Sequence, residues 1–415
     1  MSKLSTLGLF FAGMIVALGT AWAFQRGGKD FNVFYQAWSL VLNGRGVEVY
    51  MESPDRFLYA PGFAWVLAPL ALLPRDLALA LWCLVKAASI GLVIRAIASR
   101  LTLPRFAALG ICAWSVVFVA RPLLIDFQYG QVNLLIFSAC IWALLTHFNE
   151  RASARQSGLA WGVLAVAALS KIFPLPLLIV PFLVTTGISP KRIKAERIGI
   201  VSGLALIFLI PFLTESFSQW KYLLWSWKNA LQLRGFPLES HNQSFAALLY
   251  HYGSGIATHV ISKGPSDVLL GAKFFSLPVL GLLSMFWSFS TMGFLLGWIV
   301  SGSSKSPLRW LAVAIALVII PSHLVWKPYF IFGMPLVVLV LEDFYRTTEK
   351  RSLEFKGTII LVVFFLMNFS GFDFIGEYWS GRLESASIFL ICHCVLLVLV
   401  LRSRQLLPSR ALGSS

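Results

Sequence analysis

The sequence predicts an all-α polytopic integral membrane protein with about twelve transmembrane helices, on three observations. The chain is 58% hydrophobic and only 13% charged over 415 residues, with a mean hydropathy of +0.79. No soluble domain has that balance. The apolar residues gather in runs at about 5–24, 76–97, 106–121, 131–148, 157–170, 173–188, 197–213, 274–300, 307–321, 328–342, 357–370 and 384–402. Several fall short of the ~20 residues that span a ~30 Å hydrocarbon core. Third, the basic residues sort by side.

With the N-terminus inside, the cytoplasmic gaps hold Arg95, Arg100 and Arg105; Arg151 and Arg155; Lys191, Arg192, Lys194 and Arg197; Lys305 and Arg309; Arg346, Lys350, Arg351 and Lys356; and Arg402, Arg404 and Arg410. Every inside gap is basic, as the positive-inside rule expects. Both termini are then cytoplasmic. The excess of 34 Lys+Arg over 18 Asp+Glu, a net +16, reports topology rather than nucleic-acid binding.

The first run follows Lys3 and resembles a signal peptide, but the chain stays hydrophobic beyond it and it reads as an uncleaved first span. The stretch from 59 to 73 reads as re-entrant or interfacial, because counting it as a span breaks the charge pattern. The whole of 1–415 reads as one transmembrane domain. Its first outer loop, 25–75, carries interfacial or re-entrant helices, and 214–273 forms a second long outer loop. The remaining outer gaps are 122–130, 171–172, 322–327 and 371–383. Outer gaps carry mixed charge and many aromatics, so the chemistry is expected on that face. No inverted or tandem repeat is evident, which weakens a transporter reading. All five cysteines (Cys83, Cys112, Cys140, Cys392 and Cys394) lie in apolar runs, so no loop disulfide is indicated. Cys392-His393-Cys394 reads as packed helix interior, since successive helical positions point about 100° apart.

Five constellations could carry chemistry. Asp30, in Asp30-Phe31-Asn32-Val33-Phe34-Tyr35, stands just outside the first span. It either caps a helix beginning near Phe31 or acts as a general base. Asp126 to Asn133 places Gln131 and Asn133 at the outer end of a span, where amides hold sugar hydroxyls or satisfy helix ends. Asp126 is a possible second carboxylate. Lys171 sits between two short apolar runs, where it either meets a phosphate, its natural partner, or snorkels to the interface. His241-Asn242-Gln243-Ser244 follows a loop with Trp220, Trp225, Trp227 and Arg234, and contains a glycosylation sequon. Pro321 to Tyr329 gathers His323, Trp326 and Lys327 at an outer boundary, fit for an anionic headgroup. No Walker loop, dinucleotide fingerprint, Ser-His-Asp elbow or zinc signature is apparent. The outer face also lacks a nucleotide supply, so any activated donor used there should be carried by lipid.

These residues resemble glycosyltransferase family 87. The resemblance rests on Asp30-Phe31 with Val33 and Tyr35; Tyr59-Ala60-Pro61 followed by Ala68-Pro69-Leu70 and Leu73-Pro74; Gly130-Gln131-Val132-Asn133; Lys171 with Pro174; and Asn242-Gln243-Ser244. They fall in consistent order over roughly the first 250 residues. The chain departs from the family pattern at Ala60, where a second proline is usual, and at Lys327-Pro328 after Trp326. Both departures bear on sugar and acceptor specificity.

The resemblance implies a GT-C fold in the plasma (inner) membrane. It implies inverting transfer of one sugar, mannose first, from a polyprenyl-phosphate-sugar donor to a glycolipid or glycan hydroxyl on the periplasmic face. Asp30 would be the base. Lys171, Lys327 and His323 would hold the donor phosphate, and Gln131, Asn133, Asn242, Gln243, Tyr35 and Asp126 the sugar or acceptor. Neither metal nor cofactor is expected. The competing readings are a lipid or glycolipid flippase, a ligase joining whole lipid-linked glycans, and a scaffold without chemistry.

Overall fold

A computed structural model describes residues 3–51, 57–233, 241–254, 257–259, 267–269, 273–301 and 306–403. Arg234, Lys305, Arg404 and Arg410 fall outside the described residues. Among the described residues the chain is largely helical, with one antiparallel strand pair, Ala257–His259 against Asp267–Leu269. Among the described residues six helices are long and apolar enough to cross a membrane: Lys3–Gln25, Arg75–Ala98, Pro190–Leu213, Leu277–Val300, Lys327–Arg346 and Lys350–Phe369. Two bent pairs raise the number to eight at most: Arg105–Phe118 with Ala120–Tyr129 at 66°, and Phe372–Ser385 with Ile388–Arg402 at 59°.

The expected twelve spans therefore reduce to six or eight by length. The other runs are shorter helices, such as Asn133–His147 and Pro307–Leu317. The run at 173–188 breaks into Leu175–Ile179 and Val180–Leu183, where Pro174, Pro176 and Pro181 withhold backbone donors. The stretch from 59 to 73 folds as the short helix Pro61–Leu67 and the turn Ala68–Leu72.

The described chain forms two compact units. One holds residues 16–96 and 124–235; the other holds 1–15, 97–123 and 236–415.

In the first unit, Ala154–Ser170 and Pro190–Leu209 pack through glycines. Gly158 and Gly162 lie four apart, as do Gly199 and Gly203. A Cβ added at Gly199 would collide with the Gly158 carbonyl, and one at Gly203 with the Gly162 carbonyl. Small residues at this spacing let two membrane helices approach backbone to backbone. At one end of this pair His147 Nδ1 meets Glu196 Oε2 at 2.8 Å, both fully buried.

The helix Lys29–Leu42 buries Phe31, Phe34 and Trp38, which recur at helical spacing. Their rings pack with Trp82, Tyr59 and Phe63 at centroid distances of 4.9–6.2 Å. The loop is pinned further along by Tyr50, whose hydroxyl donates to Tyr59 O at 2.6 Å, and by Trp65 Nε1 to Thr214 Oγ1 at 2.9 Å.

In the second unit, Pro307–Leu317 and Lys327–Arg346 are almost wholly buried, and Ile388–Arg402 packs on both. Cys392 and His393 sit inside, with His393 Nε2 3.0 Å from Ala316 O. All five cysteines are free thiols.

Candidate functional site

Two polar clusters stand out, one in each unit. The first begins with Asp30. Its helix starts at Lys29, after Gly27 and Gly28 in the left-handed region at φ 72° and 52°. Asp30 is therefore in the first turn and is not the capping residue. Its carboxylate serves no helix N–H; Oδ2 accepts from Gln131 Nε2 at 2.8 Å.

Gln131 arrives there through a glycine. The Ala120–Tyr129 helix ends in a Schellman turn, with Gln131 N donating to Asp126 O and Gly130 N to Phe127 O, both at 2.9 Å. Gly130 lies at φ 68°, and a Cβ on it would press on Phe31 Cβ. Only glycine meets both demands. Trp82 Nε1 then donates to Gly130 O at 2.9 Å.

From Gln131 the network runs inward. Asn133 Nδ2 donates to Gln131 Oε1 and, at 3.1 Å, to Asp126 Oδ2. Lys171, which ends the Ala154–Ser170 helix, donates from Nζ to Asn133 Oδ1 at 2.9 Å. Asp126 is fully buried and pairs with the fully buried Lys86 at 2.6 Å. It cannot touch a substrate hydroxyl; it holds an amide instead. Tyr35 is likewise engaged, its hydroxyl donating to Leu73 O at 2.8 Å. Asp30 itself is half-buried. Burial pushes its carboxyl above the usual carboxylate range, opposed by Lys171, the Gln131 hydrogen bond and Lys29, and reinforced by Asp126.

The second cluster centres on Glu384, a buried carboxylate. Lys327 Nζ pairs with its Oε1; Arg121 Nη2 approaches the same oxygen at 3.3 Å, and His241 Nδ1 meets Oε2 at 2.7 Å. Ser380 Oγ adds a bond at 3.3 Å. Lys327 is thus held in an ion pair. The amides of Asn242 and Gln243, both fully buried, serve the backbone. Asn242 bonds His323 O, Val325 N and Ser244 N, and Gln243 bonds Glu384 O and Phe389 N. A buried Asn242 is no acceptor for a glycan. Ser244 caps the Phe245–Gly253 helix through Ala247 N at 3.0 Å. His323 is exposed and its carbonyl takes Asn242 and Ser244.

The structure thus brings Asp30, Gln131, Asn133, Asp126 and Lys171 together, and separately His241, Asn242, Gln243, His323 and Lys327. Sequence reasoning missed Lys86, Arg121 and Glu384. Lys86 had a signal, being a lysine in the middle of an apolar run. Among the described residues no group of three or more His, Cys, Asp or Glu could hold a metal ion.

Fold and cluster define the class: a multi-pass membrane protein with a carboxylate–amide–lysine site. The chain belongs to glycosyltransferase family 87, whose model matches residues 57–325, well over half of it. That span includes Lys86, Asp126, Gln131, Asn133 and Lys171; Asp30 and Lys327 lie outside it. The chain is 31% identical over 152 residues to a polyprenol-phosphate-mannose-dependent α-(1-2)-phosphatidylinositol pentamannoside mannosyltransferase of Mycobacterium tuberculosis (strain CDC 1551 / Oshkosh). The match covers 33% of this chain and 34% of that relative. No solved structure matches.

Proposed function

We propose that this glycosyltransferase moves one sugar, mannose first, from a polyprenyl-phosphate sugar to a hydroxyl of a glycolipid or glycan, with inversion, on the outer face of the plasma membrane. The observation that carries the reading is the setting of Asp30. It is a half-buried carboxylate outside the first span, fixed on one oxygen by Gln131. The relative's polyprenol-phosphate-mannose dependence supports the donor class.

The chemistry follows from one base. Asp30 takes the proton of the acceptor hydroxyl as that oxygen bonds to the anomeric carbon. The bond from the anomeric carbon to the phosphate oxygen breaks, and its electron pair leaves on the polyprenyl phosphate. Attack from the face opposite the leaving group inverts the carbon. Glycoside hydrolysis usually pairs two carboxylates; a phosphate leaving group needs cations instead. Lys171 exerts the largest charge influence on the base within its unit, ahead of Lys29, and is the proposed contact of the leaving phosphate. A GT-C architecture and cytoplasmic termini belong to the same reading.

The test is transfer of labelled mannose from synthetic polyprenyl-phosphate mannose by purified protein in detergent, over a panel of glycolipid and glycan acceptors. Transfer with inverted anomeric configuration supports the reading. No transfer from mannose, arabinofuranose or glucose donors, together with lipid movement in a liposome flipping assay, overturns it in favour of a flippase.

A further inference from the structure

We propose that the buried Lys86–Asp126 ion pair is a positioning device for the base: it orients the Asn133 amide, and through it the Gln131 amide that holds Asp30. The inference rests on reading Asp30 as the base, and adds two residues that never meet substrate.

An amide can face either way, and its neighbours decide which. Lysine only donates and an ionised carboxylate only accepts. Lys86 Nζ reaches both Asp126 Oδ1 at 2.6 Å and Asp126 O at 2.8 Å, and sits 4.5 Å from the Phe127 ring centroid. So held, Asp126 presents Oδ2 as an acceptor to Asn133 Nδ2. Asn133 must then turn Oδ1 toward Lys171, which can only donate. Its Nδ2 also meets Gln131 Oε1. Gln131 is left with Nε2 toward Asp30. From Lys171 through Asn133 and Gln131 every donor points toward the base, and Asn133 donates in addition to the Asp126 oxygen that Lys86 holds in place. Reversing any one amide sets donor against donor or acceptor against acceptor.

The pair has no surface role to explain it. Both side chains are fully buried, and Lys86 stands midway along the apolar helix Arg75–Ala98. An intramembrane lysine is costly and marks function by default. The charged and titratable groups facing Asp30 are Lys29 on its own helix, Lys171 and Asp126. Arg75 binds the helix entry at Asn32 and Gly27, and Cys83 lies beside Lys86 and Asp126.

The test is kcat and kcat/KM over a pH series for wild type, K86M/D126L, D126N and Asp30→Asn, with the sugar donor that wild type uses. Replacing both partners avoids a lone buried charge, and such apolar swaps are often neutral for stability. K86M/D126L is expected to fold, to lose about tenfold or more in kcat with little change in KM, and to move the acid limb of kcat/KM to higher pH. The limb rises because Gln131 no longer holds a donor on ionised Asp30. Loss of the Asp126 charge acts the other way and is the smaller effect.

D126N makes residue 126 able to donate while keeping Lys86, and is expected to move the limb in the same direction. It decides the matter if the double variant does not insert. A folded variant with kcat and acid limb both unmoved overturns the inference, as does a lowered melting temperature with an unmoved limb, which would mark a purely structural pair. Failure of the base reading shows differently: Asp30→Asn then keeps most of its transfer activity.

Discussion

Lys171 and Asp30 are joined through two amides. Lys171 Nζ donates to Asn133 Oδ1 at 2.9 Å, and Gln131 Nε2 donates to Asp30 Oδ2 at 2.8 Å. Asn133 Nδ2 to Gln131 Oε1 closes the middle. The lysine's charge favours the ionised Asp30, against the burial that raises its carboxyl.

Asp30 should trade stability for activity. Burial raises its carboxyl above the usual range. A carboxyl with a raised folded value contributes stability that is full below its unfolded value and lost as pH rises through the folded one. At neutral pH the ionised form is thus a burden on the fold. Asp30→Asn keeps an oxygen to accept from Gln131, so its melting temperature in detergent should equal or exceed that of wild type. Its transfer rate should fall by about 10²–10⁴, the range for a lost general base. A variant that melts lower and retains most activity would assign Asp30 to the fold instead.

The same burial sets the pH dependence. Below its titration Asp30 carries a proton and cannot take another. The acid limb of kcat/KM should therefore lie above the ordinary aspartate value of about 4. Lys171→Met removes the largest influence opposing burial, so it should move that limb to still higher pH. An acid limb at or below 4 in wild type, or a downward move in Lys171→Met, contradicts this account.

The fold was legible where it is local. The apolar runs at 5–24, 76–97, 274–300 and 357–370 all correspond to full-length helices, because hydropathy alone determines them. The run at 173–188 was misread as a span, since three prolines weigh more on the backbone than the apolar side chains around them. In the site, Asp30, Gln131, Asn133 and Lys171 were legible as polar residues at helix exits. Their mutual distances were not, because Asp30 and Gln131 are 101 positions apart. Lys86 and Glu384 were absorbed into apolar runs; each is tolerable there only through distant partners, Asp126 and the cations Lys327 and Arg121. Asn242 and Gln243 were legible as functional amides, but satisfying backbone groups and holding sugar hydroxyls look alike in sequence.

The glycine contact should tolerate no side chain. Gly199→Ala drives a methyl into the Gly158 carbonyl, and Gly203→Ala into that of Gly162. Neither backbone can yield without parting the helices. Each variant should lose about 1–3 kcal/mol, the range for overpacking. Gly13 and Gly91 sit in helices with nothing within 4 Å of an added Cβ. Ala at those positions should be neutral or stabilise by up to about 1 kcal/mol. Thermal melting of the four variants in one detergent checks the contrast; equal melting temperatures would mean the glycines do not set the helix approach.

Glu384 provides the sharpest contrast with Asp30. One carboxylate there answers Lys327, Arg121 and His241. Glu384→Ala leaves the half-buried Arg121 and Lys327 without that partner. Breaking a buried pair on one side costs about 3–5 kcal/mol, more than the pair itself contributes. Glu384→Ala should therefore lower the melting temperature strongly, and Lys327→Met should do so by the mirrored argument. Glu384→Gln keeps the shape and an acceptor oxygen, so it should fall between Ala and wild type. Combining Glu384→Gln with Lys327→Met removes one charge of each sign and should recover part of the loss. If the double variant is instead as unstable as the two single losses added together, the two side chains are not coupled. Lys327 would then be free of its ion pair in solution.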